Sequence, residues 1–539
     1  MSRIPINKIF LLVALTYISV ELFIWPSFQH AMNDDWAYAL AVKDFLQNSH
    51  WHYSFWQAIP AFPQLLIGIL ASKVSGFSFV TLRITSVICL LFSLYIFDKT
   101  LRKTNIAPSA LILLLLIFTF QPVTFLLSNS FMPESVITFM SVLSLYCMII
   151  YWKGMNGWFY AAFIIFSILT VLSRQSSIVI PLAYLFADPY KTSNWRMNLL
   201  RVLPLLLSFT ALMIFQSLVQ LPANYGLQFN AILHKISSPD RAILLRFVYH
   251  AFNSICLLGL MLVPFSIGYF PLLFQNLLRG GRYLLLLGVL ILLVFVKWWW
   301  GGHAEPNSGN MFYWGGIGPV IMDGLNTDIQ DSPAFWKTGM NLILSLIGIL
   351  SFVGSLFAFI TFRVQTSLSK AYMRFMTILS LLYITGISIN FANDRYLIFL
   401  VPFLLLGFAI SGFELKWRPV CFFAVAIMII YTVLGTSDQA ELLKGREVAE
   451  VHMMKDLGVL PCDMDGGFEF NAYHCSALSN LYDPYHRGKW WWVRTEDHLL
   501  SLTEKKGYVC TKEIRVHQWL RPDLQIHCLT KEIPLEMKE

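Results

Sequence analysis

Residues 8–26 read KIFLLVALTYISVELFIWP, and this stretch decides the class of fold. Its apolar part is close to the ~20 residues that an α-helix needs to cross a bilayer. About thirteen such stretches, most of roughly 17–25 residues, recur along the chain and predict an all-α polytopic membrane protein. We expect the spans at 8–26, 80–98, 108–128, 134–152, 158–173, 175–187, 198–220, 246–270, 283–299, 338–362, 372–391, 396–412 and 419–435. The two short stretches, 158–173 and 175–187, fit either a broken hairpin or tilted half-helices.

The composition supports this class of fold. Of the 539 residues, 57% are hydrophobic and only 13% are charged, whereas soluble domains carry about 25% charged residues. A water-soluble fold of this size could not hide so much apolar surface. The net charge of +8 comes from Lys and Arg in short loops, where basic residues orient helices. It therefore does not indicate a nucleic-acid partner.

The basic residues also predict an orientation. Trp25 and Pro26 stand where a small-residue cleavage site would be expected, so the first span is interpreted as uncleaved, with its start in the cytoplasm. Every second loop is then basic, as the positive-inside rule requires. These inward residues are Lys99, Arg102, Lys103, Lys153, Lys191, Arg196, Arg201, Arg279, Arg282, Arg363, Lys370, Arg374, Lys416 and Arg418. An odd number of spans places the C-terminus outside.

Two domains are expected. Residues 1–435 form the membrane domain, whose first outward loop, 27–79, contains an amphipathic stretch and a short apolar run suited to the membrane interface. Residues 436–539 are rich in charge and predict a small α/β domain outside the cytoplasm. Its expected elements are a helix at Gln439–Leu457 and strands at Gly467–Asn471, Trp490–Val493, Tyr508–Val516 and Leu524–Leu529.

Four cysteines lie in this outward domain, where an even number suggests disulfides. Three connectivities are open, and proximity in sequence favours Cys462–Cys475 and Cys510–Cys528. A zinc site built from the four lacks the tight Cys-x-x-Cys spacing typical of such sites.

The strongest candidate for chemistry is Asn33-Asp34-Asp35-Trp36, just beyond the first span. Adjacent carboxylates at a membrane surface are costly unless they are solvated, paired or used. One of them could be a general base that deprotonates an acceptor hydroxyl. The competing interpretation is a helix N-cap, which Asp34 or Asp35 would also suit. Both can hold together, because one Asp can cap while the other reacts.

Further charged residues are expected on the same side. Glu134 follows Pro133 at the start of a span, which fits either a site carboxylate or an ordinary acidic helix start. Arg174 and Arg395 lie on the outer side, against the positive-inside trend, and a forked guanidinium suits a phosphate group. The alternatives are snorkelling and an ion pair of Arg395 with Asp394 or another carboxylate.

Two more residues are candidates, and several motifs are missing. His303 could line a substrate entrance together with Glu305, although a solvated loop also explains the pair. The sequence contains no Gly-rich phosphate loop, no Gly-x-Ser-x-Gly and no His-Glu-x-x-His. Their absence argues against a machine driven by ATP. It fits chemistry whose energy is stored in a lipid-phosphate sugar.

These segments resemble the C-type fold (GT-C) of membrane glycosyltransferases, in particular bacterial relatives of protein O-mannosyltransferases and of the lipid A aminoarabinose transferase. The matching motifs are 33–38 (NDDWAY), 133–134 (PE), 173–175 (SRQ), 393–397 (NDRYL), 465–471 (DGGFEFN) and 490–493 (WWWV). The likeness covers most of the chain, but only the first-loop and tail patterns are specific.

The resemblance implies an inverting transfer from a polyprenyl-phosphate sugar, on the periplasmic face of a bacterial inner membrane. Asp34 would be the base, with Asp35 and Glu134 nearby, although the family often has Asp-Glu at 34–35, which leaves the choice of base open. Arg395 and Arg174 would hold the carrier phosphate. A divalent ion stays open as a cofactor, because some members of the family use one, although the sequence shows no separate ligand cluster for it.

The sequence leaves the substrates and one alternative function open. The acceptor is a glycan, a lipid or a protein, and the sugar is not identified. A transporter or a flippase of lipid-linked sugars is the alternative. Transporters tend to place charges in mid-span and to show internal repeats, whereas the charges here are at the outer ends of spans. A scaffold subunit would not need carboxylates and arginines clustered on one face.

Overall fold

The computed structural model describes most of the chain in separate stretches. They are 6–25, 28–54, 56–104, 106–187, 195–219, 240–271, 311–313, 316–318, 334–361, 366–390, 393–411, 417–475 and 497–532, with a few isolated positions between them. The span expected at 283–299, the strand expected at Trp490–Val493, and both His303 and Glu305 lie outside the described residues.

The described chain is mainly helical. In chain order the helices are α1 (Ile6–Ile24), α2 (Asp35–Asn48), α3 (Phe62–Ser75), α4 (Phe79–Leu101), α5 (Pro108–Phe120), α6 (Pro122–Ser128), α7 (Glu134–Gly154), α8 (Gly157–Ser173), α9 (Val179–Phe186), α10 (Trp195–Leu218), α11 (Arg241–Met261), α12 (Val263–Ser266), α13 (Ala334–Thr361), α14 (Ser367–Asn390), α15 (Asp394–Leu397), α16 (Val401–Ile410), α17 (Arg418–Val451) and α18 (Phe468–Cys475). Short 3-10 segments follow α8, α12 and α15.

Six of the described helices are long and apolar enough to cross a membrane, or seven if one bent pair counts as a single span. These six are α4, α7, α10, α11, α14 and the helix that begins at Arg418. The class of fold is therefore a helical membrane protein with several spans. The count of about thirteen and the cytoplasmic start remain predictions.

The bent pair differs from the single straight span expected at 108–128. Helices α5 and α6 meet at an angle of 56°. Pro122 explains the break, because proline has no N–H for the helix ladder and its ring clashes with the preceding turn. The side chain of Gln121 begins the second piece by accepting a 2.7 Å hydrogen bond from the backbone N–H of Thr124. The bend leads the chain toward Glu134.

The segment 27–79, which the basic-residue pattern predicts to face outward, contains two described helices, as its amphipathic and apolar stretches indicate. Helix α2 begins at Asp35. Helix α3 covers the short apolar run of this segment and has a proline in its first turn. The two helices contact each other, and α3 also contacts α4 and α8. This segment therefore forms a layer over the ends of the longer helices.

The tail is continuous with the helix before it. Helix α17 runs through residue 435 without a break, so the domain boundary predicted at 435/436 falls inside one helix. The described strands are β1 (Phe312–Tyr313) and β2 (Gly316–Ile317), which pair with each other, and β3 (Met464–Asp465), β4 (His498–Ser501), β5 (Tyr508–Val516) and β6 (Leu524–Lys531) in the tail. The tail sheet has the order β3-β4-β6-β5, in which β3 and β4 are parallel and the other pairs are antiparallel.

The strand prediction for Gly467–Asn471 is wrong, because this segment opens helix α18. Asp465 Oδ1 accepts hydrogen bonds from the backbone N–H of Gly467, at 3.0 Å, and from Asn471 Nδ2, at 2.7 Å. Gly467 adopts a φ of 94°, a region that favours glycine. These contacts close a turn and start a helix, so they outweigh the strand propensity of the aromatic residues.

One of the two expected disulfides is present. Cys462 and Cys475 are bonded, which ties α18 to the segment before β3. Cys510 and Cys528 are free thiols, so their predicted pairing is wrong. The sheet gives the reason: Cys510 is opposite Leu529, and neighbouring residues of a strand point to opposite faces. Cys528 therefore faces away from Cys510.

Candidate active site

A tight turn places the paired carboxylates between α1 and α2. Asn33 has a φ of 55°, a left-handed conformation that asparagine tolerates better than most residues. Its side-chain oxygen accepts a 2.7 Å hydrogen bond from the backbone N–H of Asp34. Asp34 and Asp35 therefore enter α2 with their side chains in different surroundings.

Asp35 is a buried structural residue. It has no exposed surface, and its oxygens accept hydrogen bonds from the backbone N–H groups of Met32, at 2.8 Å, and Phe131, at 3.3 Å. Burial raises the pKa of Asp35 from 3.8 to about 7, although nearby Arg83 opposes the shift. Asp35 thus joins the first loop to the segment before Glu134.

Asp34 occupies the N-cap position of α2, but its carboxylate makes no capping hydrogen bond. Its Oδ1 accepts a 2.8 Å hydrogen bond from the indole Nε1 of Trp56. Its Oδ2 accepts one of 2.7 Å from Arg395 Nη2. The side chain keeps 17% of its surface exposed, so Asp34 is the more accessible of the two carboxylates.

Glu134 and Arg174 complete a cluster of charges around this pair, called the charge cluster below (Asp34, Glu134, Arg174 and Arg395). Arg174 Nη2 donates a 2.6 Å hydrogen bond to Glu134 Oε1. Arg395 Nε lies 3.9 Å from the same oxygen. Glu134 is 2% exposed and each arginine 8%. Charges this buried are stable only when they are paired.

The four residues come from four different segments. Asp34 precedes α2, and Glu134 is the first residue of α7. Arg174 lies between α8 and the 3-10 segment that follows it, and Arg395 is the second residue of α15. Glu134 therefore starts its helix, and it also has a specific partner. The predicted site residues Asp34, Glu134, Arg174 and Arg395 lie together.

Arg395 does not pair with its neighbour through its side chain. Asp394 instead accepts hydrogen bonds from the backbone N–H groups of Arg395, at 2.6 Å, and Met311, at 2.9 Å. This frees the guanidinium to reach Asp34. The ring of Tyr396 lies 4.4 Å from the Arg174 guanidinium and 5.5 Å from that of Arg395, within the range of cation–π contacts.

Some polar atoms of the cluster have no partner within the described part of the chain. They are Arg395 Nε, Arg395 Nη1 and Glu134 Oε2, all buried. A buried polar atom without a hydrogen bond costs free energy. Two donors of one guanidinium and one carboxylate acceptor therefore remain available in the cluster for groups of a bound molecule.

The tail reaches the site through helix α18. Arg446 Nη1 donates a 3.0 Å hydrogen bond to Glu469 Oε2, and Arg446 Nη2 donates one of 3.2 Å to the carbonyl of Gly466. The backbone N–H of Asn33 donates to Glu469 Oε1 at 3.3 Å. Arg446 and Glu469 are both buried. This buried ion pair fixes the tail against the turn that carries Asp34.

An aromatic contact strengthens this link. The ring of Phe468 lies 5.5 Å from that of Trp56 and 6.1 Å from that of Trp36, each at a steep angle. Such edge-on aromatic pairs add to burial. Because Trp56 holds Asp34, the tail supports one of the two hydrogen bonds to that carboxylate.

Sequence reasoning did not single out Trp56 or Arg446 as site residues. Trp56 is one of many tryptophans near an expected membrane boundary, where an anchoring role explains it equally well. Arg446 lies in a charged helix with no distinguishing pattern. Only Glu469 had a signal, because it falls within the tail motif that carried the resemblance.

The comparisons with known proteins found structures but no sequence match. No protein-family model and no curated protein matches the chain. The chain is similar to crystal structures of ArnT from Cupriavidus metallidurans, in the apo state and bound to undecaprenyl phosphate, at 9% and 10% identity. Each match has a TM-score of 0.39 and covers 95% of this chain and 97% of the other. Because identity and TM-score are both low, the case for a function depends on this chain's own residues.

Proposed function

We propose that the chain is a glycosyltransferase that transfers a sugar from a polyprenyl-phosphate carrier to an acceptor hydroxyl. The charge cluster is the observation that supports this most directly. It combines an accessible carboxylate with two buried guanidiniums, so a general base and a phosphate ligand lie next to each other. The motif resemblance agrees with the same chemistry.

Asp34 is the proposed general base. Asp35 is unsuited because it is fully buried and both its oxygens are held by backbone amides. In the proposed step, Asp34 takes the proton of the acceptor hydroxyl while that oxygen attacks the anomeric carbon. The bond from that carbon to the phosphate oxygen breaks, and the polyprenyl phosphate leaves with the electron pair. A single displacement inverts the configuration of the sugar.

Arg395 is the proposed phosphate ligand. Its Nη1 is buried without a hydrogen-bond partner among the described residues, and a phosphate oxygen could accept from it. Asp34 and the phosphate then compete for the same guanidinium. We infer that the arriving phosphate weakens the Asp34–Arg395 pair, which frees Asp34 Oδ2 for the acceptor hydroxyl only when the donor is bound. Glu134 keeps Arg174 in place beside it.

The proposed location is the periplasmic side of a bacterial inner membrane. Asp34, Glu134 and Arg395 lie next to helix starts that the basic-residue pattern places outward. A polyprenyl-phosphate donor suits that side, because nucleotide sugars are absent there. The acceptor class (glycan, lipid or protein) and the sugar remain open, since pocket shape decides such choices. His303 remains a candidate substrate contact.

The test is a transfer assay on the purified chain with labelled polyprenyl-phosphate sugars. Asp34→Asn removes the proposed base but keeps the shape, and we expect transfer to fall by about 10²-fold or more, as for loss of a general base. Asp44→Asn is the matched control, because Asp44 lies on helix α2, which begins directly after Asp34, and forms an exposed ion pair with His52. Full transfer by the Asp34→Asn chain would rule out this base. Movement of the lipid across the membrane without sugar transfer would favour the flippase alternative.

A further inference from the structure

A second cluster of polar side chains lies on the tail sheet, far from Asp34 in sequence. Cys510 and Glu513 come from β5, and His527 comes from β6. Cys510 Sγ lies 3.8 Å from His527 Nδ1, and Glu513 Oε1 lies 3.6 Å from the same nitrogen. One ligand atom from each of the three residues lies within 4.8 Å of the others.

A β-bulge makes this arrangement possible. Residues three apart in a regular strand point to opposite faces. Here the register shifts between Cys510, which is opposite Leu529, and Lys512, which is opposite Cys528. The extra residue restores Cys510 and Glu513 to the same face, beside His527. Bulges often reorient a side chain next to a functional site.

The distances match those of a tetrahedral metal site. With typical zinc bonds of about 2.3 Å to sulfur and about 2.1 Å to nitrogen, the two ligand atoms stand about 3.6 Å apart. The sulfur–nitrogen distance of 3.8 Å and the nitrogen–oxygen distance of 3.6 Å are within a few tenths of an ångström of that geometry. The three ligand atoms would therefore need to move by only a few tenths of an ångström to coordinate a zinc ion.

We propose that Cys510, Glu513 and His527 bind a zinc ion, with water as the fourth ligand. A thiolate, an imidazole and a carboxylate form the mixed ligand set that zinc prefers over magnesium or calcium. The Cys510 thiol, which donates to the carbonyl of Lys512 at 3.3 Å, gives up its proton when the metal binds. The two negative ligands then neutralise the ion.

The site is accessible and yet partly preformed. Glu513 has half of its side chain exposed, so an ion can enter from solvent, whereas His527 is buried and therefore fixed. The second free thiol, Cys528, is buried and points to the other face of the sheet. It therefore stands outside the proposed ligand set.

The ion would stabilise the edge strand of the tail sheet. Strand β5 is the last strand in the order, so only β6 holds it within the described sheet. A metal that joins two residues of β5 to one of β6 stabilises this edge by binding only the folded state. The site neither uses nor requires the chemistry proposed for Asp34.

Cobalt(II) titration of the tag-free, full-length chain in detergent tests the proposal. Cobalt replaces zinc and gives a thiolate charge-transfer band in the near ultraviolet when sulfur is a ligand. We expect one such band at one equivalent of metal, displaced by added Zn²⁺. We expect Cys510→Ser to lose it and the matched control, Cys528→Ala, to keep it.

Two further measurements distinguish the loss of a metal ligand from misfolding of the variants. Glu513→Gln keeps size and exposure, and we expect it to weaken zinc affinity by about tenfold or more while retaining the thiolate band. Zinc should raise the Tm of the wild-type chain and leave that of Cys510→Ser unchanged. The proposal fails if no thiolate band forms in the wild type, or if the band persists in the Cys510→Ser chain.

Discussion

Arg395 donates a 2.7 Å hydrogen bond to Asp34, although the two residues are 361 positions apart in the chain. The contact joins the turn after the first helix to a helix start near the end of the membrane region. Its geometry fixes one oxygen of Asp34, and Trp56 fixes the other.

Replacing Arg395 by Ala should lower kcat/KM by about 10–150-fold. Loss of one hydrogen bond to a charged group costs ~1.5–3 kcal/mol, which corresponds to that range of rates. Steady-state transfer with increasing donor should show the change mainly as a higher KM, because the arginine binds the phosphate. Arg515→Ala is the control, because Arg515 forms an exposed pair with Asp523 on the tail sheet. Equal losses in both variants would contradict a role for Arg395 in donor binding.

Replacing Trp56 by Phe should reduce kcat by roughly tenfold. The ring remains against Phe468, but the indole N–H that holds Asp34 Oδ1 is lost. A hydrogen bond to a charged group contributes about 1.5–3 kcal/mol, and the lower end of that range corresponds to about tenfold in rate. Steady-state transfer at saturating donor and acceptor measures the change in kcat. Trp51→Phe, at a tryptophan whose ring centroid lies 4.8 Å from that of Phe45, serves as the control. Equal losses of kcat in the two variants would indicate that the indole N–H of Trp56 has no specific role.

Breaking the Arg446–Glu469 pair should destabilise the tail. Both side chains are buried, and removing one partner of a buried pair typically costs about 3–5 kcal/mol. Arg446→Met should therefore lower the Tm in detergent by several degrees. Lys444→Ala, which removes a more exposed pair with Glu441, should change the Tm little. An unchanged Tm in Arg446→Met would show that the tail does not depend on this contact.

Asp35 should make stability depend on pH. Burial raises its pKa in the folded chain from 3.8 to about 7, so the folded state holds the proton more tightly than the unfolded state. The contribution is complete below about pH 4 and is lost as the pH rises through 7. Asp35→Asn should be less stable throughout, because its amide has only one acceptor for two backbone N–H groups. Its Tm should also vary less with pH over this window, and an unaltered slope would contradict the assignment.

The sequence predicted the helices well, and its errors have local physical causes. Apolar runs are sufficient to locate long helices, because lipid requires them, and Tyr508–Val516 matches β5 residue for residue. Residues 108–128 have continuous high hydropathy, which predicts one straight helix, but Pro122 bends it. In the tail, the hydrogen bonds of Asp465 start a helix where a strand was predicted at 467–471. Strand propensities do not take such side-chain hydrogen bonds into account.

The site was predictable only where residue types are unusual for their place. Arginines and carboxylates at the ends of apolar runs stand out in a membrane protein, whereas the role of Trp56 depends on a contact that forms only in the folded chain. The pairing of Cys510 with Cys528 failed because closeness in sequence does not reveal which face of a strand a residue occupies. The bulge that gathers Cys510, Glu513 and His527 was invisible for the same reason.

A structure of the purified chain with a bound polyprenyl phosphate tests the central claim most directly. We expect the phosphate oxygens within hydrogen-bond distance of Arg395, with Asp34 beside them and its bond to Arg395 lengthened or broken. A phosphate bound at the opposite end of the helices, with the Asp34–Arg395 pair intact, would contradict the account.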